Sequence, residues 1–304
     1  MNISSDIPSP IYVCGPTASG KSTLAIEVAR LLGGEIVNAD AYQLYRGLET
    51  LSAAPSADEL AQVPHHLYGV LEADEICDAM RFREMALPVI VEIQSRGKTA
   101  IVTGGSGMYL KFLTHGPSQV PSGDDSLRAE LARESDDALV TRLTKIDPEG
   151  AAATNLKNRR YVIRALEICI LSGRKMSDVK CEWKQASEKI QEHLRGVYLL
   201  WDREALRQRI NRRTELMLNQ GAIEEVSALG NASITCEKAI GIAQVRSYLS
   251  GELTRPECAE RIAAATRQYA KRQRTWFGKE AWLTPCPISE QTNMATLASE
   301  LFQK

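Results

Sequence analysis

The sequence lacks the marks of several large protein classes. No apolar run approaches the ~18 residues that would span a bilayer. The seven cysteines (Cys14, Cys77, Cys169, Cys181, Cys236, Cys258, Cys286) form no CxxC pair and are odd in number, which argues against a zinc ribbon or a disulfide framework and for a reducing cytoplasm. Neither charge is in excess: 37 Lys and Arg face 38 Asp and Glu, a net charge of −1, so a wholly basic nucleic-acid binder is excluded while local basic patches are not. The opening MNISSDIPSP has neither a basic flank nor an apolar core, so no signal peptide is expected. Its Asp6 and missing Arg are unlike a mitochondrial leader. No repeat or low-complexity tract appears. What remains is an ordinary soluble composition, 304 residues with 44% apolar and 25% charged, enough for one large or two modest domains.

The first 115 residues alternate strand and helix signals. Ile11 to Cys14 is a short apolar run ending in a glycine-rich turn, and Lys21 to Leu32 has helical spacing at Leu24, Val28 and Leu31 or Leu32. Glu35 to Val37 reads as a second strand that delivers Asn38, Ala39 and Asp40. A helix from about Asp78 to Ser95 precedes a third strand, Thr99 to Thr103, and the turn Gly104-Gly105-Ser106-Gly107 leads into a helix near Met108. Such alternation implies a parallel sheet covered by helices. Beyond Pro121 strand signals vanish until Gly196, and Asp124 to Asp137 has helical spacing with six acidic residues against Arg128 and Arg133. Val197 to Trp201 returns as a strand, and 203–277 is helical with basic clusters at Arg203, Arg207, Arg209, Arg212 and Arg213 and at Arg267, Lys271, Arg272 and Arg274.

Gly15-Pro16-Thr17-Ala18-Ser19-Gly20-Lys21-Ser22 fits G-x-x-x-x-G-K-[ST] between a strand and a helix. Its glycines let successive amides point at one anion, the helix start adds its dipole, Lys21 adds a charge and Ser22 offers a hydroxyl to magnesium. A di- or triphosphate is the expected ligand. The expected fold is therefore α/β, a P-loop NTPase-like parallel sheet with flanking helices, with residues 1–120 and 196–304 as the core and 121–195 as a mostly helical insertion. Asp40 is the only carboxylate at a strand end near this loop, at the edge where ligands bind in such sheets. It can take a proton from an incoming nucleophile, share in a metal shell or cap a following helix.

Further segments follow in a fixed order: Asn38 to Gly47, Val63-Pro64-His65-His66-Leu67, Gly104 to Leu110, Arg164-Ala165-Leu166-Glu167, Arg209-Ile210-Asn211 with Arg213, Ala239-Ile240-Gly241, and Thr266 to Gln273 through Trp276-Phe277. Together with the phosphate loop, over roughly residues 11 to 277, this resembles the tRNA dimethylallyltransferase family, also called tRNA isopentenyltransferases. The resemblance implies prenyl transfer from dimethylallyl diphosphate to the exocyclic amine of the adenosine 3′ of the tRNA anticodon. The loop would then hold a diphosphate leaving group with magnesium rather than ATP. Asp40 matches the family's general base. Lys21, the loop amides, magnesium at Ser22 and Arg213 would stabilise the leaving group, and Ser106 stands where the family contacts the diphosphate or the amine. Asp40, Ala41, Tyr42 and Gln43 match the segment that meets a flipped adenine. Arg160, Arg164, Lys271, Arg272 and Arg274 are the candidates for RNA phosphates, and the insertion matches the domain the family sets against the tRNA. A cytoplasmic monomer with no membrane contact is expected.

Departures from the family's pattern fall at Ala54, Tyr161, Ile242, Ala243 and Gly278 and spare every proposed chemical group. His65 and His66 lack a third metal ligand and read as structural; Tyr109, Leu110, Trp276 and Phe277 read as packing residues. Three other readings compete: an adenylate isopentenyltransferase acting on free nucleotide, a small-molecule kinase built on the same loop, and a nucleotide-gated binder without chemistry.

Overall fold

The computed structural model describes residues 9–116, 120–121, 123–191 and 194–303. It forms two compact units, Met1–Leu113 with His193–Lys304, and Thr114–Glu192. Among the described residues no helix is long and apolar enough to cross a membrane, and all seven cysteines are free, six of them buried.

The first unit is built on a six-stranded, all-parallel sheet. Its strands are β1 (Ile11–Cys14), β2 (Glu35–Asn38), β3 (His65–His66), β4 (Ala100–Gly104), β5 (Arg195–Trp201) and β6 (Leu283–Ile288), ordered β3-β2-β4-β1-β5-β6. β1, β2 and β4 are buried along their whole length, as expected of parallel strands covered on both faces. Alternate residues feed two cores. Tyr12, Cys14, Val37 and Val102 join Phe82, Leu110 and Phe277 on one face, whereas Ile11, Val13, Ile36 and Ile101 join Leu24, Val28 and Phe302 on the other. Tyr109 and Leu110 are core residues, and Trp276 lies over Gly107, where any side chain would meet its ring.

The sheet is wider than the sequence suggests, and both missed strands are at its edges. β6 reads Leu-Thr-Pro-Cys-Pro-Ile, and its two prolines cannot donate to a ladder. It tolerates them because it pairs with β5 alone. β3 is only two residues long, too short for any periodic signal. It sets His66 Nε2 2.8 Å from Glu35.

Glu35 is 2% exposed at the start of β2. It accepts hydrogen bonds from both terminal nitrogens of Arg96 (2.7 and 2.9 Å) and from Lys98 (2.8 Å). The Arg96 bonds, opposed by burial, hold its carboxyl down to about 2, below the usual glutamate value of 4.5. A depressed carboxyl stabilises the fold above the unfolded pKa, and that contribution fades as pH falls from about 4.5 towards 2. Glu35→Gln is expected to cost about 2 kcal/mol at neutral pH. It should also flatten the acid limb of a urea-unfolding series run from pH 7 to 3.

The second unit packs helices Asp125–Leu131, Asp136–Ile146, Pro148–Ala152, Arg159–Ser172 and Met176–Gln191 around Leu131, Leu139, Leu143, Val162 and Leu166. The acidic stretch is two helices rather than one. Ser135 caps a new start by accepting the Ala138 N–H, and Asp136 and Asp137 favour a first turn. Buried Asp147 joins two more helices, accepting hydrogen bonds from the Gly150 N–H and from the Ser177 N–H and hydroxyl.

Candidate active site

The carboxyl ends of β1, β2, β4 and β5 converge on one edge of the first unit. From β1 the chain enters the phosphate loop, where Ala18 (φ 63°) and Gly20 (φ 86°) take left-handed conformations. Gly15 is required by the curl, since a Cβ there would lie 2.5 Å from Ser19 Oγ. The helix Lys21–Leu32 starts at Gly20 without a side-chain cap, so its first amides are left for a ligand. Three side chains brace the loop from behind. Arg209 Nε donates to Ala18 O, Trp201 Nε1 donates to Ser19 O, and Gln273 Oε1 accepts the Thr17 N–H, each at 2.9 Å. These bonds offset the roughly 1–2 kcal/mol cost of a left-handed alanine.

In front of the loop lies a basin of about 290 Å³ lined by Ala18 to Ser22, Gln43, Ala53, Arg209, Arg212, Arg213 and Leu216. Among the described residues no carboxylate forms an ion pair with Lys21 or Arg213. Lys21 is buried, and that burial pushes its pKa down; the field of Asp40 opposes the shift and that of Arg213 adds to it. Burial likewise lowers Arg213, again opposed by Asp40 and reinforced by Arg209. Of the four cations in the basin only Arg212 has a carboxylate partner among the described residues, Glu290 at 3.6 Å, and such a cluster of positive charge favours a polyvalent anion.

Asp40 follows β2, and its backbone and one carboxylate oxygen are held by hydrogen bonds. Asn38 Oδ1 accepts the Asp40 N–H (2.8 Å), and Asn38 Nδ2 donates to Asp40 O (3.1 Å) and Leu67 O (2.8 Å). Asp40 Oδ1 accepts the Tyr42 N–H at 3.2 Å, and Ser106 Oγ accepts the Ala41 N–H at 2.9 Å. No helix begins until Glu49, so Asp40 is not a helix cap; residues 41–48 run as bends and turns with a single bridge from Tyr45 to Leu71. The β4 turn is glycine-rich because of this loop. A Cβ on Gly104 would lie 2.1 Å from Ala39 O.

Asp40 and Tyr42 face a narrow slot of about 60 Å³, with an apolar wall of Leu48, Leu51, Met217 and Ile240. Burial and the Asp40 charge push the Tyr42 hydroxyl up to about 12. Slot and basin have Ala18 and Arg213 as shared walls. Among the described residues, the buried hydroxyls of Ser19 and Ser52 have no hydrogen-bond partner.

The other expected residues divide. Gly15, Pro16 and Thr17 shape the loop, and Ser22 stands half-buried on the basin wall. Ser106 belongs behind the Asp40 loop and lines neither cavity. Gln43 is buried, its amide donating to Ser52 O and Ala53 O (3.2 and 2.8 Å). Ala41 is half-buried beside it. Lys271 and Arg272 are exposed on the helix Arg255–Phe277, and Arg160 is exposed in the second unit. Arg164 has partners within the second unit. Its guanidinium is held by buried Glu167 (2.5 Å) and Pro121 O (2.8 Å), and Glu167 also takes Arg128 and the Asp124 N–H. Gln273, Trp201 and Arg209 were not assigned roles from sequence, because their contacts to the loop span at least 182 positions.

A family model described as IPP transferase matches residues 43–280. A tRNA dimethylallyltransferase of Akkermansia muciniphila is 44% identical over 294 residues, covering 97% of this chain and 98% of its own. One of Geobacter sulfurreducens is 40% identical over 278 residues, covering 89% of each. Among solved structures, the full-length tRNA isopentenylpyrophosphate transferase of Bacillus halodurans superposes with a TM-score of 0.69 at 31% identity, covering 97% of this chain and 95% of its own. A eukaryotic dimethylallyltransferase acting on tRNA gives 0.75 at 26% identity, covering 96% and 78%. By the match over residues 43–280 and by relatives 40% and 44% identical over most of its length, the chain belongs to the IPP transferase family.

Proposed function

We propose that this enzyme transfers a dimethylallyl group from dimethylallyl diphosphate to the exocyclic amine of the adenosine 3′ of the anticodon in tRNA. One observation carries the reading: a cationic basin and an apolar slot meet at Ala18 and Arg213, with Asp40 in the slot. The basin suits the diphosphate and the slot suits the five-carbon chain. The adenine nitrogen forms a bond to C1 of the chain as the C1–O bond breaks. The electron pair leaves with diphosphate, and the amine proton passes to Asp40. Lys21, Arg213 and the loop amides stabilise the charge that gathers on the leaving oxygen.

Magnesium fits this arrangement. Among the described residues no cluster of His, Cys, Asp and Glu forms a metal cage, and a magnesium ion is commonly bound through substrate phosphates with few protein ligands. The Ser22 hydroxyl would hold it, and it would neutralise part of the diphosphate charge.

Ala41, Tyr42 and Gln43 would flank the adenine. Arg160, Lys271 and Arg272 would meet RNA phosphates. A groove of about 510 Å³ between the helices Arg203–Asn219 and Arg255–Phe277 adds Arg203, Arg207, Arg267 and Arg274 to that track. Arg207→Ala with Arg274→Ala is expected to weaken tRNA binding and to lower the slope of log K against log salt by about 1–2. Titrations between 50 and 300 mM salt check this.

The deciding assay offers purified protein magnesium, dimethylallyl diphosphate and, separately, unmodified tRNA, an anticodon stem-loop and AMP, with mass spectrometry of the nucleosides. Prenylated tRNA and stem-loop with untouched AMP is the expected result. Prenylated AMP would move the enzyme to the free-nucleotide class.

A further inference from the structure

We propose that Gln273 is a positioning residue that ties the loop holding the leaving group to the loop holding the base, an inference that rests on the reaction proposed above. Gln273 belongs to the helix Arg255–Phe277 and is 4% exposed. Its Oε1 accepts the Thr17 N–H and its Nε2 donates to Gly105 O, both at 2.9 Å. Only this orientation of the amide works, because the reverse would set donor against donor and acceptor against acceptor.

The link continues on both sides. Thr17 is part of the phosphate loop and lines the slot. Gly105 precedes Ser106, whose hydroxyl accepts the Ala41 N–H at 2.9 Å, one residue from Asp40. Tyr269, one turn earlier on the same helix, also donates to Gly105 O (3.4 Å). Gly105 has no Cβ to spare, since one would lie 2.2 Å from Gln273 Nε2. A run of short contacts therefore crosses from the leaving-group loop to the base through one side-chain amide.

The chemistry explains the residue type. The gap between a backbone donor and a backbone acceptor calls for a planar group with one of each. Glutamine supplies both without adding a negative charge to the phosphate loop. What the amide fixes is the separation of two reacting centres. A displacement of about 1 Å in such a separation can cost on the order of 10² in rate.

The test is Gln273→Met, close in length and unable to make either bond. Prenyl transfer at saturating substrates is expected to fall about 10²-fold. Magnesium diphosphate binding should weaken only a few-fold. Hydrogen exchange followed by mass spectrometry is expected to quicken in 15–22 and also in 39–44, a segment to which Gln273 makes no hydrogen bond among the described residues, with β1, β4 and β5 unchanged. Wild-type exchange in 39–44, or a folded variant within threefold of the wild-type rate, would overturn the proposal. So would faster exchange spread evenly through the sheet, which a purely structural role predicts. Should Gln273→Met fail to fold, Gln273→Glu separates the two bonds. It keeps an acceptor for Thr17 and faces Gly105 O with a carboxylate, so 39–44 alone should loosen, and equal loosening of both loops or of neither would refute the link. Wild-type protein that prenylates nothing would instead count against the reaction, while the exchange pattern still decides the link.

Discussion

Asp40→Ala is expected to abolish prenyl transfer in practice, with a loss of at least about 10²–10⁴ in rate, the span usually assigned to a general base. The size follows from the nucleophile. An adenine amine has its lone pair drawn into the ring, so it attacks only as its proton is taken away. Asp40 is the carboxylate of the slot, and nothing else lining it offers a base. Tyr42 and Tyr269, the other ionisable hydroxyls lining it, are both held protonated because burial and the Asp40 charge raise them. Asp40→Asn is the sharper variant. Its side-chain oxygen can still accept the Tyr42 N–H, so the loop should keep its shape while the base is lost. Diphosphate binding should persist in both variants or tighten slightly, because an anion has gone from beside the basin. Single-turnover transfer and a magnesium diphosphate titration measure the two effects separately. Transfer by Asp40→Asn at the wild-type rate would remove Asp40 from its role.

Arg213→Ala is expected to lower kcat/KM for dimethylallyl diphosphate by about 10²–10³, the usual cost of losing one donor that meets developing charge. Arg213 is half-buried, forms part of both the basin and the slot, and donates to Ser52 O at 3.3 Å. Its guanidinium thus stands where basin and slot meet, the point at which the proposed reaction would part diphosphate from the carbon chain. Both kcat and diphosphate affinity should suffer, and tRNA affinity should not. Arg213→Lys keeps the charge without the planar fork and should recover only part of the loss. Arg212→Ala is the control on the same helix, since Arg212 is exposed and its nearest acid is Glu290 at 3.6 Å. It should change the rate by less than the Arg213 variants. An effect of Arg213→Ala confined to tRNA binding would refute its assignment to the leaving group.

The phosphate loop and the position of Asp40 were legible in the amino-acid sequence because each depends on neighbours in the chain. A glycine pattern between an apolar run and a helical period fixes the loop locally, and a strand's last residue is delivered to the sheet edge by topology alone. Residues brought together across the fold carry no such local period. Arg164 and Arg160 look alike in sequence, yet Glu167 and Pro121 O hold the first and leave the second exposed. The glycines of the β4 turn read in sequence only as a turn into a helix, whereas they serve the close approach of Ala39, Gln273 and Trp276. β6 was hidden by two prolines that only an edge strand allows. The sequence by itself determined which groups could do the chemistry. The tertiary structure alone decided that Arg213 would join basin to slot and that one buried amide would bridge the two loops. Contacts across 256 positions, such as Gln273 to Thr17, depend on helix and sheet packing, and no pattern along the chain encodes them.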